Sequence, residues 1–317
     1  NKPLAKEVQQ QWKDNYRKLR VEAEQSSSGI INMDSDQNAA DLTSSQQQRE
    51  LERRWKYGGL IMWNAFADIM KNQDSNNLVS DFVHKKIREV VMDPATADLL
   101  CPRNYPLGSK RLCVDTNYYE TFNRPNDSLA DINSHPIKEI TATGIETGEG
   151  FFELDSIVLA TGFDAMTGPM LNIDIRGSDD TLLNEKWAEG PQTYLGLTIA
   201  GFPNLFMITG PGSPSVLSNV LLAIEQHVDW ITDCLQYMTD NQFSMIEPTH
   251  KAERDWVKHG NEVAEDTLYV NGDSWYMGAN IPGKPRVFMP YVGGADKYRQ
   301  ICENVANNNY HGFSLSN

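Results

Sequence analysis

Two stretches, Leu154-Asp-Ser-Ile-Val-Leu-Ala-Thr-Gly-Phe-Asp164 and Asn204-Leu-Phe-Met-Ile-Thr-Gly210, decide the predicted fold. Each is a short run of aliphatic, β-branched and aromatic residues that stops at Thr-Gly, which is typical of a buried parallel strand whose carboxyl end leaves room for a ligand. The second stretch continues into Pro211-Gly-Ser-Pro-Ser215 and then into a helical pattern. Strand, glycine loop and helix in this order are the geometry of a nucleotide site, and they predict an α/β fold class.

The loop Gly210-Pro-Gly-Ser-Pro-Ser215 imitates the GxGxxG fingerprint of dinucleotide-binding proteins, with serine at the third glycine. That fingerprint normally opens the first strand–helix–strand unit of its domain and is followed, about twenty residues later, by an acidic residue for the ribose. Here the loop lies deep in the chain and contains two prolines. We favour a plain strand-to-helix turn over a pyrophosphate site. A third interpretation is a helix N-terminus that meets another electron-rich ligand group.

The composition narrows the function classes. The chain has 317 residues, 40% of them hydrophobic, and a formal charge of −15. This length allows two domains or one large one, and the acidity argues against binding to nucleic acid or to an anionic membrane. No apolar run reaches the ~20 residues of a membrane helix. The four cysteines and six histidines are scattered, so we expect no disulfide scaffold, no metal site and a reducing, cytoplasmic compartment.

Helical patterns dominate the first third of the chain. From Pro3 to Gln25 the apolar residues recur every three or four positions, which predicts one amphipathic helix. Residues 26–48 are rich in Ser, Gln, Asn and Asp, which predicts a flexible surface connection. Further helices are predicted over residues 47–70 and 75–92, and Asp93-Pro94 has the cap and first-turn residues of another.

Sheet patterns begin after Pro102. Residues 104–114 pass from a proline-marked loop into a strand, residues 141–150 predict a hairpin, and Phe152 to Ala160 predicts the strand that stops at Thr161-Gly162. From Ser218 to Tyr237 the aliphatic residues share one side and the acidic residues the other. This pattern predicts a helix whose aliphatic side packs on a sheet.

Two residue pairs could carry chemistry. Lys110 and Arg111 follow Gly108 at a loop-to-strand junction, where a rigid backbone could aim a cation at a bound anion. A pair of this kind is more often solvated surface. Trp275 and Tyr276 could stack on a nicotinamide or line a cleft, although core packing is the commoner role of such residues.

The serines near the glycine loop are not expected to act as nucleophiles. Ser213, Ser215 and Ser218 are close in sequence, but no GxSxG elbow is present. No histidine or acidic residue is spaced to activate any of them. The sequence therefore argues against a hydrolase.

The motifs, taken in order, resemble the C-terminal part of the Baeyer-Villiger monooxygenases, in particular the phenylacetone and steroid monooxygenase type. The resemblance covers nearly the whole chain and is absent from residues 26–48. It is carried by residues 104–112, 117–124, 154–168, 173–177, 193–197, 201–206, 210–219 and 281–286. Chance agreement over so many segments in this order is implausible.

This resemblance implies an α/β fold that is the C-terminal portion of a flavoprotein with two dinucleotide-binding domains and an inserted helical subdomain. It places the helical subdomain at residues 1–106, the second part of the NADPH-binding domain at 107–156, and the second part of the FAD-binding domain with the C-terminal tail at 157–317. The family's FAD and NADPH fingerprints and its signature sequence lie upstream of the matching region. We therefore expect a missing N-terminal half, on the same polypeptide or on a second chain.

The resemblance also implies a reaction. An FAD enzyme takes hydride from NADPH, binds O2 at the reduced flavin and inserts one oxygen next to a ketone carbonyl, which gives an ester or a lactone. The family's catalytic arginine corresponds to Arg111, whose guanidinium would stabilise the anionic flavin peroxide. Two alternatives stay open: a noncatalytic module that acts through protein contacts, and a flavin monooxygenase that oxygenates nitrogen or sulfur.

Further residues receive roles from the same resemblance. Lys110 corresponds to a residue near the NADPH phosphate and Trp275 to a tryptophan that contacts the nicotinamide cofactor. The expected flavin contacts are Thr161, Gly162, Asn219 and Val220, and the expected lining of the ketone pocket is Ser215, Val216 and Leu217. The pocket loop resembles the longer form of the phenylacetone branch, which implies bulky ketones.

Overall fold

The computed structural model describes residues 3–31 and 34–317. These residues divide into two compact units. The first unit contains the chain up to Val79, the segment Tyr105–Leu112 and the whole stretch Asp164–Asn317. The second contains Ser80–Asn104 and Cys113–Phe163. The chain is α/β, as predicted.

The helices and strands of the described residues alternate irregularly along the chain. The α-helices are α1 (Lys6–Asp14), α2 (Tyr16–Glu24), α3 (Ser44–Tyr57), α4 (Gln73–Val90), α5 (Pro94–Leu99), α6 (Tyr118–Thr121), α7 (Gly168–Leu171), α8 (Leu183–Lys186), α9 (Val220–Asp240), α10 (His250–Glu265) and α11 (Ala295–Asn307). Short 3-10 helices lie at Ala39–Asp41, Ile61–Asn64, Ser215–Leu217, Leu268–Asn271 and Trp275–Met277. The strands are β1 (Ile137–Thr141), β2 (Gly144–Thr147), β3 (Phe151–Glu153), β4 (Met245–Pro248) and β5 (Phe313–Ser316).

The strands form two small antiparallel sheets. In the second unit β2 lies between β1 and β3, with Ile145 opposite both Ile140 and Phe152. In the first unit β4 pairs with β5, and Ile246 lies opposite Leu315. The hairpin predicted at residues 141–150 thus contains β2 and the turns on either side of it.

The two stretches predicted as parallel strands do not pair as strands in the described residues. β3 ends at Glu153, so the predicted strand Phe152 to Ala160 is wrong beyond that point. Val158 and Phe163 are each 88% exposed. The strand predicted at Asn204–Gly210 is also wrong, because the segment belongs to no sheet and contains turns, with positive φ at Asn204 and Thr209. A strand requires a neighbouring segment as partner for its backbone hydrogen bonds, and a local apolar pattern does not report whether that partner is present.

The side of α9 that packs in this structure is not the side that the sequence pattern indicated. The buried face of α9 carries Ala223, Gln226, His227, Trp230, Cys234 and Met238. Leu221, Val228 and Leu235, which were predicted to pack on a sheet, are exposed. The helix therefore has two apolar faces, one of which is covered within the described residues.

The N-terminal region also differs from the prediction. The single helix predicted from Pro3 to Gln25 is interrupted at Asn15, which separates α1 from α2. The connection predicted at residues 26–48 is partly packed, since Ser28 and Ala39 are buried. Its described part contains a 3-10 helix and the start of α3, where Thr43 and Gln46 form a capping box.

The largest core cluster of the first unit lies around Trp230, Trp256 and Tyr298. Trp256 of α10 stacks on Tyr291 with ring centroids 5.1 Å apart. This cluster also includes Leu195 and Leu197, which belong to the turn packed beneath the glycine loop. The core thus supplies a rigid base for residues 210–217. Within the described residues no helix combines the length and apolarity needed to cross a bilayer.

Candidate functional site

Arg111 and the loop that follows Gly210 meet in the first unit. The Nη2 of Arg111 donates a hydrogen bond to the main-chain oxygen of Val216. The guanidinium carbon lies 6.0 Å from the centre of the Trp63 ring. The structure therefore joins the residue predicted to be catalytic to the loop predicted to line the ketone pocket.

The loop that carries Arg111 is held from below by α4. Asn76 is 1% exposed. Its amide nitrogen donates to the Leu107 oxygen at 2.9 Å and its amide oxygen accepts from the Leu107 N–H at 2.9 Å. Gly108 follows with φ +91°, and a Cβ there would lie 2.8 Å from Nε1 of Trp63. Only glycine therefore allows this close approach in this conformation.

Lys110 is half-buried and lies over an aromatic ring of its own loop. Its Nζ is 4.4 Å from the centroid of Tyr105. The neighbouring Ser109 hydroxyl, which is part of a fully buried residue, donates to the Pro106 oxygen at 2.7 Å. A cation–π contact of this kind stabilises the position of the ammonium group. The predicted contact of Lys110 with the NADPH phosphate stays a prediction.

Side chains and main-chain groups of four neighbours hold the backbone of the glycine loop. The bonds are Thr193 Oγ1 to Pro211 O at 2.8 Å, Gly212 N to Met289 O at 2.7 Å, Trp256 Nε1 to Gly212 O at 3.1 Å and Tyr291 N to Ser213 O at 2.8 Å. Because successive residues of the loop are each tied to the core, the loop has a defined conformation without a sheet around it.

The serines of this loop have structural roles. The Ser213 hydroxyl is buried and donates to the Gly210 oxygen at 2.7 Å. Ser215 is 3% exposed and has φ +39°, at the start of the 3-10 helix that carries Val216 and Leu217. The Ser213 bond holds the turn, and Ser215 is placed by the backbone of the 3-10 helix.

Several predicted site residues pack against one aromatic cluster. Trp63, Tyr269 and Tyr276 form its buried centre, and Leu112, Val216, Leu217 and Trp275 are among the partly buried residues packed against it. The rings of Trp275 and Tyr276 are 4.5 Å apart. Burial raises the pKa of the Tyr269 hydroxyl, and the charge of Arg111 acts in the opposite direction. The hydroxyl thus stays neutral beside the guanidinium at physiological pH.

Asn219 and Val220 lie where α9 begins. The Asn219 Oδ1 accepts the Leu221 N–H at 3.2 Å and its own N–H donates to the Ser28 oxygen at 2.7 Å. The first turn of this 21-residue helix contains no acidic side chain, and Val220 is 42% exposed. The positive end of the helix dipole is therefore not neutralised by an acidic residue of that turn.

Thr161 and Gly162 belong to the second unit, unlike the other predicted site residues. Both are exposed, and Gly162 has φ +82° with nothing within 4 Å of the position of a Cβ. Their predicted contact with a flavin stays a prediction. In the described residues no group of three or more His, Cys, Asp or Glu side chains could hold a metal ion.

Sequence reasoning missed Asn76, Trp63 and His227. His227 is fully buried, and its Nδ1 accepts the N–H of Thr209, one residue before Gly210, at 2.9 Å. Burial lowers the pKa of His227 to about 4, and the charge of Arg299 acts in the same direction. A histidine on a helix face carries no sequence signal for such a role, because its partners come from distant segments.

Comparison with known proteins gives extensive similarity to monooxygenases, although no protein-family profile matches the chain. The chain is 38% identical over 322 residues to 2-oxo-Delta(3)-4,5,5-trimethylcyclopentenylacetyl-CoA monooxygenase of Pseudomonas putida, which covers 100% of the chain and 59% of the relative. It is 38% identical over 318 residues to cyclohexanone 1,2-monooxygenase of Acinetobacter sp, with 99% and 58% covered. It is also 38% identical over 281 residues to phenazine N-monooxygenase PhzNO1 of Lysobacter antibioticus, with 88% and 51% covered.

Solved structures agree with these sequences. Oxidized steroid monooxygenase bound to NADP superposes with a TM-score of 0.94 at 42% identity, with 99% of this chain and 59% of that chain covered. Cyclohexanone monooxygenase from Rhodococcus sp. Phi1 bound to NADP+ gives 0.95 at 37% identity, with 100% and 59% covered.

These similarities relate the chain to monooxygenases. More narrowly, the chain is related to the Baeyer-Villiger monooxygenases, and the resemblance to their C-terminal part that the sequence indicated is confirmed. It spans 58 to 59% of the length of the first two relatives.

Proposed function

We propose that the protein containing this chain is an FAD- and NADPH-dependent Baeyer-Villiger monooxygenase, which inserts one oxygen of O2 next to a ketone carbonyl to give an ester or a lactone. The observation that supports this most directly is the hydrogen bond from Arg111 to the Val216 oxygen. It places a guanidinium beside the loop that would line the ketone pocket, in a chain that resembles ketone monooxygenases over its whole length.

The proposed domain assignment follows the family. Residues 1–106 form the helical subdomain, residues 107–156 the second part of the NADPH-binding domain, and residues 157–317 the second part of the FAD-binding domain with the C-terminal tail. Within these, Lys110 and Trp275 would hold NADP, and Ser215, Val216 and Leu217 would line the ketone pocket.

The residues proposed for FAD suit an anionic, planar group. In the first unit Asn219 and Val220 would contact it, because the start of α9 has no acidic residue in its first turn. Taken within the second unit alone, Thr161 and Gly162 are proposed to contact a flavin as well, and nothing lies within 4 Å of the position of a Cβ on Gly162. A helix N-terminus of this kind favours negative charge nearby. When bound, the flavin supplies the electrons and carries the oxygen to be transferred.

Arg111 would stabilise negative charge on the transferred oxygen. A guanidinium is always protonated and planar, and here one of its nitrogens is fixed by the Val216 carbonyl while its face lies near Trp63. A preoriented cation stabilises a developing charge without reorganisation during the reaction. The aromatic cluster around Trp63 and Tyr276 would keep water from this side of the pocket.

Exposed apolar surface supports the proposal that a missing N-terminal half, on the same polypeptide or a second chain, completes the enzyme. In the first unit Leu221, Val228 and Leu235 form an exposed stripe along α9. In the second unit Val158, Leu159 and Phe163 are exposed on an extended segment. Surfaces of this composition are normally covered by other elements. The net charge of −15 argues against binding to nucleic acid or to an anionic membrane, and the four scattered cysteines support a cytoplasmic protein.

A second candidate is oxygenation of nitrogen or sulfur, which the similarity to a phenazine N-monooxygenase favours.

The test of both candidates uses the native gene product, loaded with FAD. NADPH consumption and products are measured with a panel of aryl, steroidal and cyclic ketones, a sulfide and a phenazine. Ketone-dependent NADPH oxidation that yields esters or lactones supports the proposal. Formation of an N-oxide or a sulfoxide without any ester supports the second candidate. A gene product that binds no FAD contradicts both candidates and favours a noncatalytic module.

A further inference from the structure

We propose that His227 and Tyr298 are positioning residues that fix the turn leading into the loop Gly210–Leu217. Both side chains are fully buried in the first unit, on α9 and α11 respectively. Neither was assigned a role by the sequence patterns or by the family resemblance. The inference rests on the proposed function only for what the loop binds.

A chain of hydrogen bonds joins the two residues to two separate turns. The Thr209 N–H donates to Nδ1 of His227 at 2.9 Å, and Nε2 of His227 lies 3.0 Å from the Tyr298 oxygen. The Tyr298 hydroxyl donates to the Leu195 oxygen at 2.7 Å. This relay of hydrogen bonds therefore connects the main-chain N–H of Thr209 to the main-chain oxygen of Leu195.

Only one protonation state of His227 satisfies this chain. Nδ1 accepts from Thr209, so it carries no proton, and Tyr298 uses its hydrogen on Leu195, so its oxygen accepts from Nε2–H. The imidazole must be neutral, with its proton on Nε2. Protonation at Nδ1 would replace the bond to Thr209 with a clash of two donors.

The two turns at the ends of the relay both need support. Thr209 has φ +56° and Leu195 has φ +58°, which is the left-handed region that side chains other than glycine rarely adopt. Such conformations persist where the surroundings fix them. His227 supplies an acceptor for the N–H of Thr209, and Tyr298 supplies a donor for the oxygen of Leu195.

The two turns are also packed directly against each other. A Cβ on Gly210 would lie 2.5 Å from the Gly196 oxygen, and a Cβ on Gly196 would lie 2.5 Å from the Ser213 nitrogen. Because there is no space between the turns, a displacement of Thr209 moves the start of the loop. Val216, near the other end of the loop, accepts the hydrogen bond from Arg111.

The matched variants are His227→Asn and His227→Gln, made in the native gene product. Asn places its amide oxygen where histidine has Nδ1 and preserves the bond from Thr209. Gln places its amide nitrogen near the position of Nε2 and loses that bond. We expect His227→Gln to speed amide hydrogen exchange in peptides covering residues 205–217 by about 10-fold, since a buried N–H loses its acceptor. His227→Asn should exchange much closer to the wild-type rate.

Tyr298→Phe provides a milder test that keeps the ring. It removes the donor to the Leu195 oxygen, so exchange should increase in peptides covering residues 194–198 as well. Equal exchange of the Asn and Gln variants, or wild-type exchange in both, overturns the positioning role. Hydrogen exchange does not depend on turnover, so this result stands whether or not the enzyme oxygenates ketones.

The catalytic readout addresses the proposed function separately. In the FAD-loaded protein, His227→Gln should raise the KM for ketone about 10-fold and change kcat little, while His227→Asn restores the KM. Faster exchange with an unchanged KM would keep the positioning role and overturn its connection to the ketone pocket.

Discussion

Arg111 and Val216 lie 105 positions apart in the sequence and are joined by a hydrogen bond from the guanidinium to the main-chain oxygen. The bond links a loop clamped by α4 to a loop tied to the core around Trp256. Because both loops are held by the core, the bond restricts the position of the guanidinium. The position of the cation is thus set by the backbone of two segments rather than by the flexibility of one side chain.

Replacement of Arg111 should strongly slow oxygen transfer and spare flavin reduction. We expect Arg111→Ala and Arg111→Lys each to lower ester formation by about 100-fold or more, because a preoriented donor to a developing charge contributes that much and a lysine cannot reproduce the planar contact. Product formation is measured by gas chromatography, and flavin reduction by NADPH under anaerobic conditions serves as the control. Ester formation by Arg111→Lys at the wild-type rate would contradict the role of the guanidinium.

The clamp beneath this loop can be tested by stability alone. Asn76→Ala should lower the free energy of unfolding by about 1–3 kcal/mol, since both main-chain groups of buried Leu107 lose their partners. Asn77→Ala is the matched control, because Asn77 is exposed on the same helix and its change should stay within about 0.5 kcal/mol. Urea unfolding measures both variants. Equal effects of the two would show that the clamp contributes nothing specific.

The sequence predicted the parts of this molecule whose signal is local. The motifs around Arg111 and Gly210 were among those that indicated the resemblance, and the structure brings Arg111, Val216 and Trp275 to one aromatic cluster. The helix α5 also begins directly after Asp93, where the predicted cap residue indicated. These features depend on a few neighbouring residues, which a sequence pattern can report.

Several wrong predictions concern residues whose partners come from distant segments. The apolar run after Leu154 predicted a parallel strand, but strand pairing depends on a neighbouring segment. The aliphatic side of α9 predicted its packed face, whereas the described chain covers the side with His227 and Trp230. Asn76 and His227 are polar residues on helices, and their roles follow from backbone groups that reach them only in the folded chain.

The buried ion pair between Lys186 and Glu253 should be important for stability. Glu253 is 1% exposed, and it accepts from Lys186 at 2.8 Å and from the Ala200 N–H at 2.8 Å. Glu253→Gln leaves a poorly solvated ammonium without its counter-charge, so we expect a loss of about 3–5 kcal/mol in the free energy of unfolding.

The control for this prediction is Glu262→Gln, on the same helix α10. Glu262 pairs with Lys258 at 3.5 Å, and both side chains are largely exposed. Surface pairs of this kind contribute about 0–1 kcal/mol, because water and salt screen them. If chemical unfolding gives the two variants similar losses, the Lys186–Glu253 pair is no stronger than a surface pair.

Acidification should destabilise the protein through His227. Its pKa is lowered to about 4 in the folded state by burial, against about 6.5 in the unfolded chain, so the unfolded chain binds a proton first as the pH falls. The stability contributed by the neutral imidazole is therefore complete above pH ~6.5, declines as the pH falls towards 4, and amounts to about 3 kcal/mol over that window.

The measurement is the free energy of unfolding of wild type and His227→Asn between pH 7 and 4. Other groups titrate in both proteins, so the difference between the two curves isolates the histidine. That difference should shrink steadily below pH 6.5, because asparagine does not titrate. A difference that stays constant with pH would mean that the imidazole titrates normally in the fold, which its two buried hydrogen bonds would not allow.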